Sequence, residues 1–517
     1  MASAQRWLWL TVLFLGLLGS LERRTVADVK LPAIISDHMV LERGMPVKLW
    51  GWAEPGEEVT VTFAKQTKQA RAAADGRWLV TLDPLDAGGP LELHVRGTNE
   101  MTIRDVLVGE VWLGSGQSNM AMTVERARDF EQEKAAANLP QIRVFTVAMS
   151  RADTAATDCK GEWKICSPET VGRFSATAFF FGRELHKQLH VPVGLIASSV
   201  GGTPIESWID ADAQRRAPEL QTYLSERETR LAANDKAAEA RYQKQLAAWQ
   251  KEYDAAVAEK KPRPRKPEDP KDLAARKNNV GGLYNGMIAP LIPYTIRGAI
   301  WYQGEANSAE NRPAYYQYQL SLLVETWRAA WGEGDFPFAW VQLPNFIRTG
   351  EGWPRVREAM LKTLRLPNTG MAITIDSGDP KDIHPANKQV VGERLAAWAL
   401  AEVYGKKIAS SGPLPAGSET CGGEIVVSFT HTDGGLTAHG GALKGFQLAG
   451  DDRVWHPAQA RIDGNTVVVH SADVKQPVAV RYAWADNPDC NLYNGAGLPA
   501  SPFRTDDWPA IDPQQGK

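Results

Sequence analysis

The sequence predicts an α/β chain in which a doubly wound parallel sheet, covered on both faces by helices, lies between an N-terminal and a C-terminal all-β region. Three observations predict it. From about residue 105, continuous apolar runs alternate with amphipathic stretches, the pattern of strands buried on both faces between helices. Before that point, at 59–63, 78–82 and 91–95, apolar and polar residues alternate, and Pro55-Gly56, Asp75-Gly76 and Gly88-Gly89-Pro90 separate the runs, the turn signals of an antiparallel β-sandwich. After Lys406 the same alternation returns at 424–429 and 466–470.

The elements follow in order. Residues 1–27 read as a secretory leader: Arg6 precedes a hydrophobic run over 7–18, polar residues follow, and the small Ala27 ends the segment. The run is too short to span a bilayer comfortably, and no later segment reaches 18 consecutive apolar residues. The competing reading, a retained anchor, draws on the charged Glu22-Arg23-Arg24. Next comes a β-sandwich domain over 28–104. The α/β domain covers 105–405, with expected strands at 106–113, 193–198, 296–302, 338–343 and 370–376 and helices at 175–189, 314–331 and 388–404. Within it, 213–277 is a charge-dense insert in which Tyr242, Leu246, Trp249 and Tyr253 form one stripe of a solvated helix. The insert ends in Lys260-Lys261-Pro262-Arg263-Pro264-Arg265-Lys266-Pro267, where proline forbids helix; a helical hairpin with an exposed loop is expected. A β domain over 406–517 closes the chain, since 517 residues exceed what one compact core holds.

Composition excludes several function classes. The net charge of -3, from 58 basic and 61 acidic residues, provides no broad basic field, so nucleic acid is not an expected partner. Cys159, Cys166, Cys421 and Cys490 form no Cys-x-x-Cys pair and have no histidine at zinc-ligand spacing. No metal and no cofactor are expected. In an oxidising compartment three pairings of these cysteines into two disulfides are open, with Cys159–Cys166 the favoured bond.

In a doubly wound domain, ligands sit at the carboxyl ends of the strands, so the residues just after each strand carry the chemistry. The first strand runs into Gly116-Gln117-Ser118-Asn119-Met120. A serine at an abrupt strand end, before a helix, is exposed beside backbone N–H groups that can hold an oxyanion; its alternative reading is a helix N-cap. The second strand is followed by Gly201-Gly202-Thr203, whose glycines allow a backbone N–H to approach a reacting oxygen. The next runs into Gln303-Gly304-Glu305, where Gln303 offers an amide donor and Glu305 an orienting or capping carboxylate. The last leads to Asp379-Pro380-Lys381-Asp382-Ile383-His384-Pro385. Of nine histidines, His384 alone falls in an acid-rich loop at such a strand end, and a nearby carboxylate can fix the tautomer of a histidine base.

At these residues the sequence resembles the SGNH hydrolase superfamily and, within it, the sialate O-acetylesterase family and its relatives among carbohydrate acetylesterases. Gly109-Glu110-Val111-Trp112-Leu113 leading into Gly116-Gln117-Ser118-Asn119-Met120 looks like the first block, Gly201-Gly202-Thr203 the second, Trp301-Tyr302-Gln303-Gly304-Glu305 the third and Asp382-Ile383-His384-Pro385 the last. The resemblance implies an SGNH-type sheet and a serine esterase that removes O-acetyl groups from a carbohydrate, a sialic acid first and acetylated xylan or another glycan second. It implies Ser118 as nucleophile, His384 as base, Asp382 as its acid, and an oxyanion hole from Ser118, Gly201, Gly202 and Gln303, with Asn119, Glu305 and Asp379 in support. The superfamily more often has asparagine where Gln303 stands and spaces acid and histidine by three, which leaves Asp379 as a substitute for Asp382. The implied setting is secreted or periplasmic.

Two rivals stand beside this reading. A non-catalytic carbohydrate-binding protein would use the β regions and keep a worn α/β domain; a glycosidase would use paired carboxylates such as Glu206 and Glu305.

Overall fold

The spine of the molecule is a single strand of 17 residues, β1 (Glu100–Gly116). Its first half pairs antiparallel with Gly88–Arg96 and parallel with Val40–Glu42. Its second half pairs parallel with two strands of the α/β region. The boundary expected between residues 104 and 105 therefore falls inside a continuous strand, and the two regions share backbone hydrogen bonds instead of a linker. The structure is a computed structural model that describes residues 28–259, 261–267, 269–270, 280–309 and 311–509, without the side chains of 230–237. The leader expected over 1–27 lies outside the described residues.

The other strands of the central sheet are β2 (Leu139–Val147), β3 (Gly161–Cys166), β4 (Val193–Ser199), β5 (Gly298–Tyr302), β6 (Phe338–Val341) and β7 (Thr369–Ala372). They lie in the order β7-β6-β5-β1-β4-β2-β3. All pairings are parallel except β2 with β3. The sheet is thus mixed, not wholly parallel as expected: no helix lies between β2 and β3, and without a crossover the chain returns antiparallel.

Side-chain alternation along these strands feeds two cores. Val111, Leu113, Trp301 and Trp340 face one, with helices α3 (Pro313–Trp331) and α4 (Gly352–Thr363) over them. Trp112, Leu195, Ile300 and Ala339 face the other, under α1 (Ala176–Leu189) and α5 (Lys388–Trp398). Adjacent residues of one strand point to opposite faces, which is why these strands read as continuous apolar runs. Ser175 is the cap of α1, its Oγ accepting from the Ala178 N–H at 3.2 Å, and α5 passes after Trp398 into one wide turn over Ala399–Val403.

In the N-terminal region, Val47–Trp52 pairs with Arg77–Leu82, and Glu58–Phe63 with Gln66–Arg71 and Gly88–Arg96. Their inward residues (Leu49, Val59, Val61, Trp78, Val80) join the core beneath β1. The C-terminal region forms two four-stranded antiparallel sheets around Ile425, Val427, Leu448, Val467, Tyr482 and Phe503. It seats on α4, where the buried Arg357 donates to the carbonyls of Ala485 and Asp486 at 2.7 and 2.9 Å.

One expectation is corrected and one falls partly outside the described residues. Within the insert the described residues form a 38-residue helix, α2 (Gln221–Ala258), followed by irregular chain over 261–267; the second arm of the expected helical hairpin, over 271–279, lies outside the described residues. Tyr223 and Arg227 anchor its base on buried Glu206, at 2.6 and 3.5 Å. Trp249 Nε1 donates to Pro264 O at 3.0 Å, so part of the expected exposed loop folds back on the helix. The Cys159–Cys166 bond is not formed: all four cysteines are free thiols, and Cys166 is buried at the edge of the sheet with its Sγ 3.4 Å from Ala137 O.

β1 ends at Gly116 with φ +138°, and a Cβ there would lie 2.1 Å from Tyr302 O. Both the backbone conformation and the space require glycine. Gly116→Ala is expected to destabilise the fold by about 2 kcal/mol or more, seen as a lower Tm in calorimetry; an unchanged Tm would refute the contact.

Candidate active site

Because β4 lies on one side of β1 and β5 on the other, the strand order reverses at β1, and a crevice opens at the carboxyl ends of these three strands. The close approach of Gly116 lets the Gln117 N–H donate to Tyr302 O at 2.9 Å. A short helical turn, Ser118–Ala121, starts immediately beyond. Gln117, not Ser118, occupies the cap position. Ser118 Oγ instead lies 2.8 Å from His384 Nε2, at hydrogen-bond distance across 266 residues of sequence. The capping alternative for Ser118 is therefore not what the fold adopts.

His384 sits on the irregular loop between β7 and α5. Asp382 Oδ1 accepts the His384 backbone N–H at 2.8 Å and stands 3.7 Å from ring Nδ1. That separation is an ion-pair contact and not a hydrogen bond, and the Asp382 side chain is 61% exposed. Asp379 turns the loop, accepting from the N–H groups of Lys381 and Asp382; its bonds do not reach the imidazole. Burial holds the imidazole below its ordinary value of 6.5. Asp382 opposes that shift, and the cations Lys388 and Arg126 reinforce it.

On the β4 side, a Cβ at Gly201 would lie 3.4 Å from Ser118 Cβ, so this glycine faces the serine. Gly202, with φ +69°, turns the chain in open space. No hydrogen bond engages the Ser118 or Gly201 N–H among the described residues. Gln303 is the correction on the β5 side. It is wholly buried, and its two amide hydrogens are shared among Asn307 Oδ1 (2.7 Å), Thr203 O (3.2 Å) and Gln117 Oε1 (3.2 Å). Tyr316 holds its carbonyl oxygen at 2.9 Å. An amide with its hydrogens engaged inside the protein has none to give an oxyanion, so Gln303 braces the loops after β1, β4 and β5.

Behind the serine lies a buried polar cluster. Asn119 Nδ2 donates to Glu305 Oε1 at 2.6 Å and to Ile383 O at 2.9 Å. Lys388 Nζ donates to Asn119 Oδ1 and Pro385 O, each at 2.7 Å. Burial raises the Glu305 carboxyl and draws the Lys388 amine down to about 7. Glu206, the other half of the carboxylate pair with Glu305, is taken up by Tyr223, Asn307 and Arg227 and so is not free to act with it. Among the described residues no group of three His, Cys, Asp or Glu side chains is arranged to hold a metal ion.

Sequence reasoning missed Lys388 and Arg126. The only signal for Lys388 was its place one turn beyond His384, at the head of an apolar helix. Arg126 ends a 3-10 turn, Val124–Arg126. Two residues on, the Arg128 N–H donates to Ala386 O of the His384 loop at 2.8 Å. The Arg126 side chain is exposed, and no ion pair engages it among the described residues. The whole arrangement pairs a hydroxyl with a neutral imidazole beside two free N–H donors, a geometry able to run nucleophilic acyl transfer.

Comparison with known proteins matches residues 108–252 and 275–401 to the family of carbohydrate esterases described as sialic acid-specific acetylesterase. A sialate O-acetylesterase of Rattus norvegicus is 30% identical, over 95% of this chain and 97% of its own length. That of Homo sapiens is 30% identical over 93% of each. The crystal structure of a carbohydrate acetylesterase from Xanthomonas citri superposes with a TM-score of 0.79 at 38% identity, covering 93% of this chain and 100% of that one.

In an NMR titration the imidazole of His384 is expected to take up its proton below pH ~6.5, the ordinary histidine value; a midpoint above it would contradict the burial and the flanking cations.

Proposed function

Because the chain belongs to the sialic acid-specific acetylesterase family of carbohydrate esterases, we propose that this carboxylic ester hydrolase deacetylates O-acetylated sialic acids through an acyl-enzyme on Ser118. The observation that carries the proposal is the 2.8 Å contact of Ser118 Oγ with His384 Nε2 at the crevice.

Ser118 Oγ attacks the acetyl carbonyl as its proton passes to His384 Nε2. The oxyanion that forms meets the Ser118 and Gly201 N–H groups. Collapse breaks the bond to the sugar oxygen, which takes the proton from His384 and leaves as the free hydroxyl. Water, activated by the same imidazole, then releases acetate. Asp382 stabilises the imidazolium through its charge, weakly because solvent surrounds its carboxylate. His384 must be neutral to accept the proton, so activity is present above its pKa and lost as pH falls through it. With that pKa lowered, the acid limb lies below pH ~6.5.

Arg126 supports the choice of an acidic sugar. An exposed guanidinium on the turn bonded to the His384 loop suits the carboxylate of a sialic acid, to which arginine binds as a fork. Residues 1–27, with their leader-like order of charge and apolar run, support export of the chain. Among the described residues no helix is long and apolar enough to cross a membrane.

Ser118→Ala is expected to lower hydrolysis of p-nitrophenyl acetate by about 10⁴-fold or more; equal rates in the two proteins would overturn the acyl-enzyme. Arg126→Ala is expected to raise KM for an O-acetylated sialic acid about tenfold more than KM for an acetylated xylo-oligosaccharide, which has no carboxylate. An equal effect on both substrates, or faster turnover of the xylo-oligosaccharide by the unmodified enzyme, would move the substrate to a neutral glycan.

A further inference from the structure

We propose that Lys388 is a positioning residue for the base: together with Asn119 it clamps the two peptide carbonyls that flank His384 and ties them to the nucleophile turn. The inference rests on the reading of Ser118 and His384 as nucleophile and base.

His384 stands on a loop without regular backbone hydrogen bonds, and its carboxylate neighbour is largely in solvent, 3.7 Å from the ring. Asp382 is thus a poor anchor for the imidazole. What does hold the loop is internal. Asn119 Nδ2 binds the carbonyl just before His384, at Ile383, and Lys388 Nζ binds the carbonyl just after it, at Pro385. The two side chains bind each other at 2.7 Å, and Asn119 continues to Glu305 at 2.6 Å. Asn119 follows Ser118 directly in the chain. The clamp therefore spans the nucleophile turn, the loop after β5 and both sides of the base, through groups that are almost wholly buried.

A lysine suits the post. It offers three donors on a compact head, two of them used on oxygens, while the face of Tyr302 lies 5.5 Å from Nζ. The charged and titratable groups around it are Tyr302 and Glu305 from the end of β5 and the loop after it, Asp382 and His384 from the loop before α5, and Arg126 from the turn that follows Ser118–Ala121. Glu305 and Asp382 favour the ammonium; burial and Arg126 oppose it. A cation at Lys388 also lowers the proton affinity of His384, so its removal moves the acid limb of activity to higher pH.

The experiment uses the full chain and four variants, Lys388→Met, Lys388→Gln, Asn119→Ala and the Asn119→Ala/Lys388→Met double, well below their Tm. Labelling of Ser118 by a fluorophosphonate probe and turnover of p-nitrophenyl acetate are read across pH. Lys388→Met is expected to lower kcat and the labelling rate about 100-fold, the scale of an ångström of misplacement, with KM changed less than about threefold and the acid limb raised. Lys388→Gln, which keeps donors without the charge, is expected to recover part of the rate but not the position of the limb. The double variant is expected to lose little more than either single, because the two residues act as one unit. Variants with lowered Tm but wild-type kcat and acid limb would reduce Lys388 to a packing role and overturn the clamp. A wild type that fails to label at Ser118 would overturn the underlying reading, and the clamp with it; labelling of wild type and Lys388→Met at one rate would overturn the clamp alone.

Discussion

The contact on which the rest of the molecule depends is the backbone approach of Gly116 to Tyr302. With no Cβ at 116, the end of β1 closes on the end of β5, and the Gln117 N–H reaches the Tyr302 carbonyl. That bond fixes where the chain leaves the sheet. Gln117 then accepts from the Ala306 N–H and from Gln303, so the turn that carries Ser118 and the loop after β5 move as one body. A side chain at 116 would separate the two strand ends, and everything aligned on them would shift.

The polar interior around this contact follows from the cost of burying uncompensated polar groups. Asn119, Gln303, Asn307, Glu206 and Lys388 are all withdrawn from water, and each spends its hydrogen-bonding capacity on a neighbour from a different loop. Such a network has few alternative arrangements, because breaking one bond strands a buried partner. The loops that carry Ser118 and His384 are thereby tied to the interior by side-chain hydrogen bonds. Charge is handled in the same way: cations and burial around His384 keep its imidazole neutral, the state a base needs.

Much of the fold was legible, and the reasons are local. Trp112, Leu113, Ile300 and Trp301 lie in continuous apolar runs because both faces of their strands are covered, and Ser175 announced the start of α1. Other features lie beyond local rules. The insert's prolines predicted an exposed loop, and 261–263 and 265–266 are exposed; the bond that Pro264 O accepts from Trp249, between residues 15 apart, is one that no local rule contains. The change of texture at 104/105 marks where β1 passes from one region to the next, and the strand itself runs on unbroken across it because it pairs with both.

At the candidate site, the sequence by itself determined which residue types stand at the strand ends: a serine, a pair of glycines, an amide, and a histidine among acids. Those identities follow from the periodicity that locates the strands and from the rule that ligands collect at their carboxyl ends. Which of them meet was decided only in three dimensions. Ser118 and His384 are 266 positions apart and touch, whereas Gln303, chemically suited to the same task, is consumed by Asn307, Thr203 and Gln117. Lys388 carried no local mark of importance, because its place depends on the carbonyl of Pro385 and the amide of Asn119 arriving from different parts of the chain. Sequence patterns report the backbone's local preferences, while the satisfaction of a buried donor depends on partners that only the packed chain brings within reach.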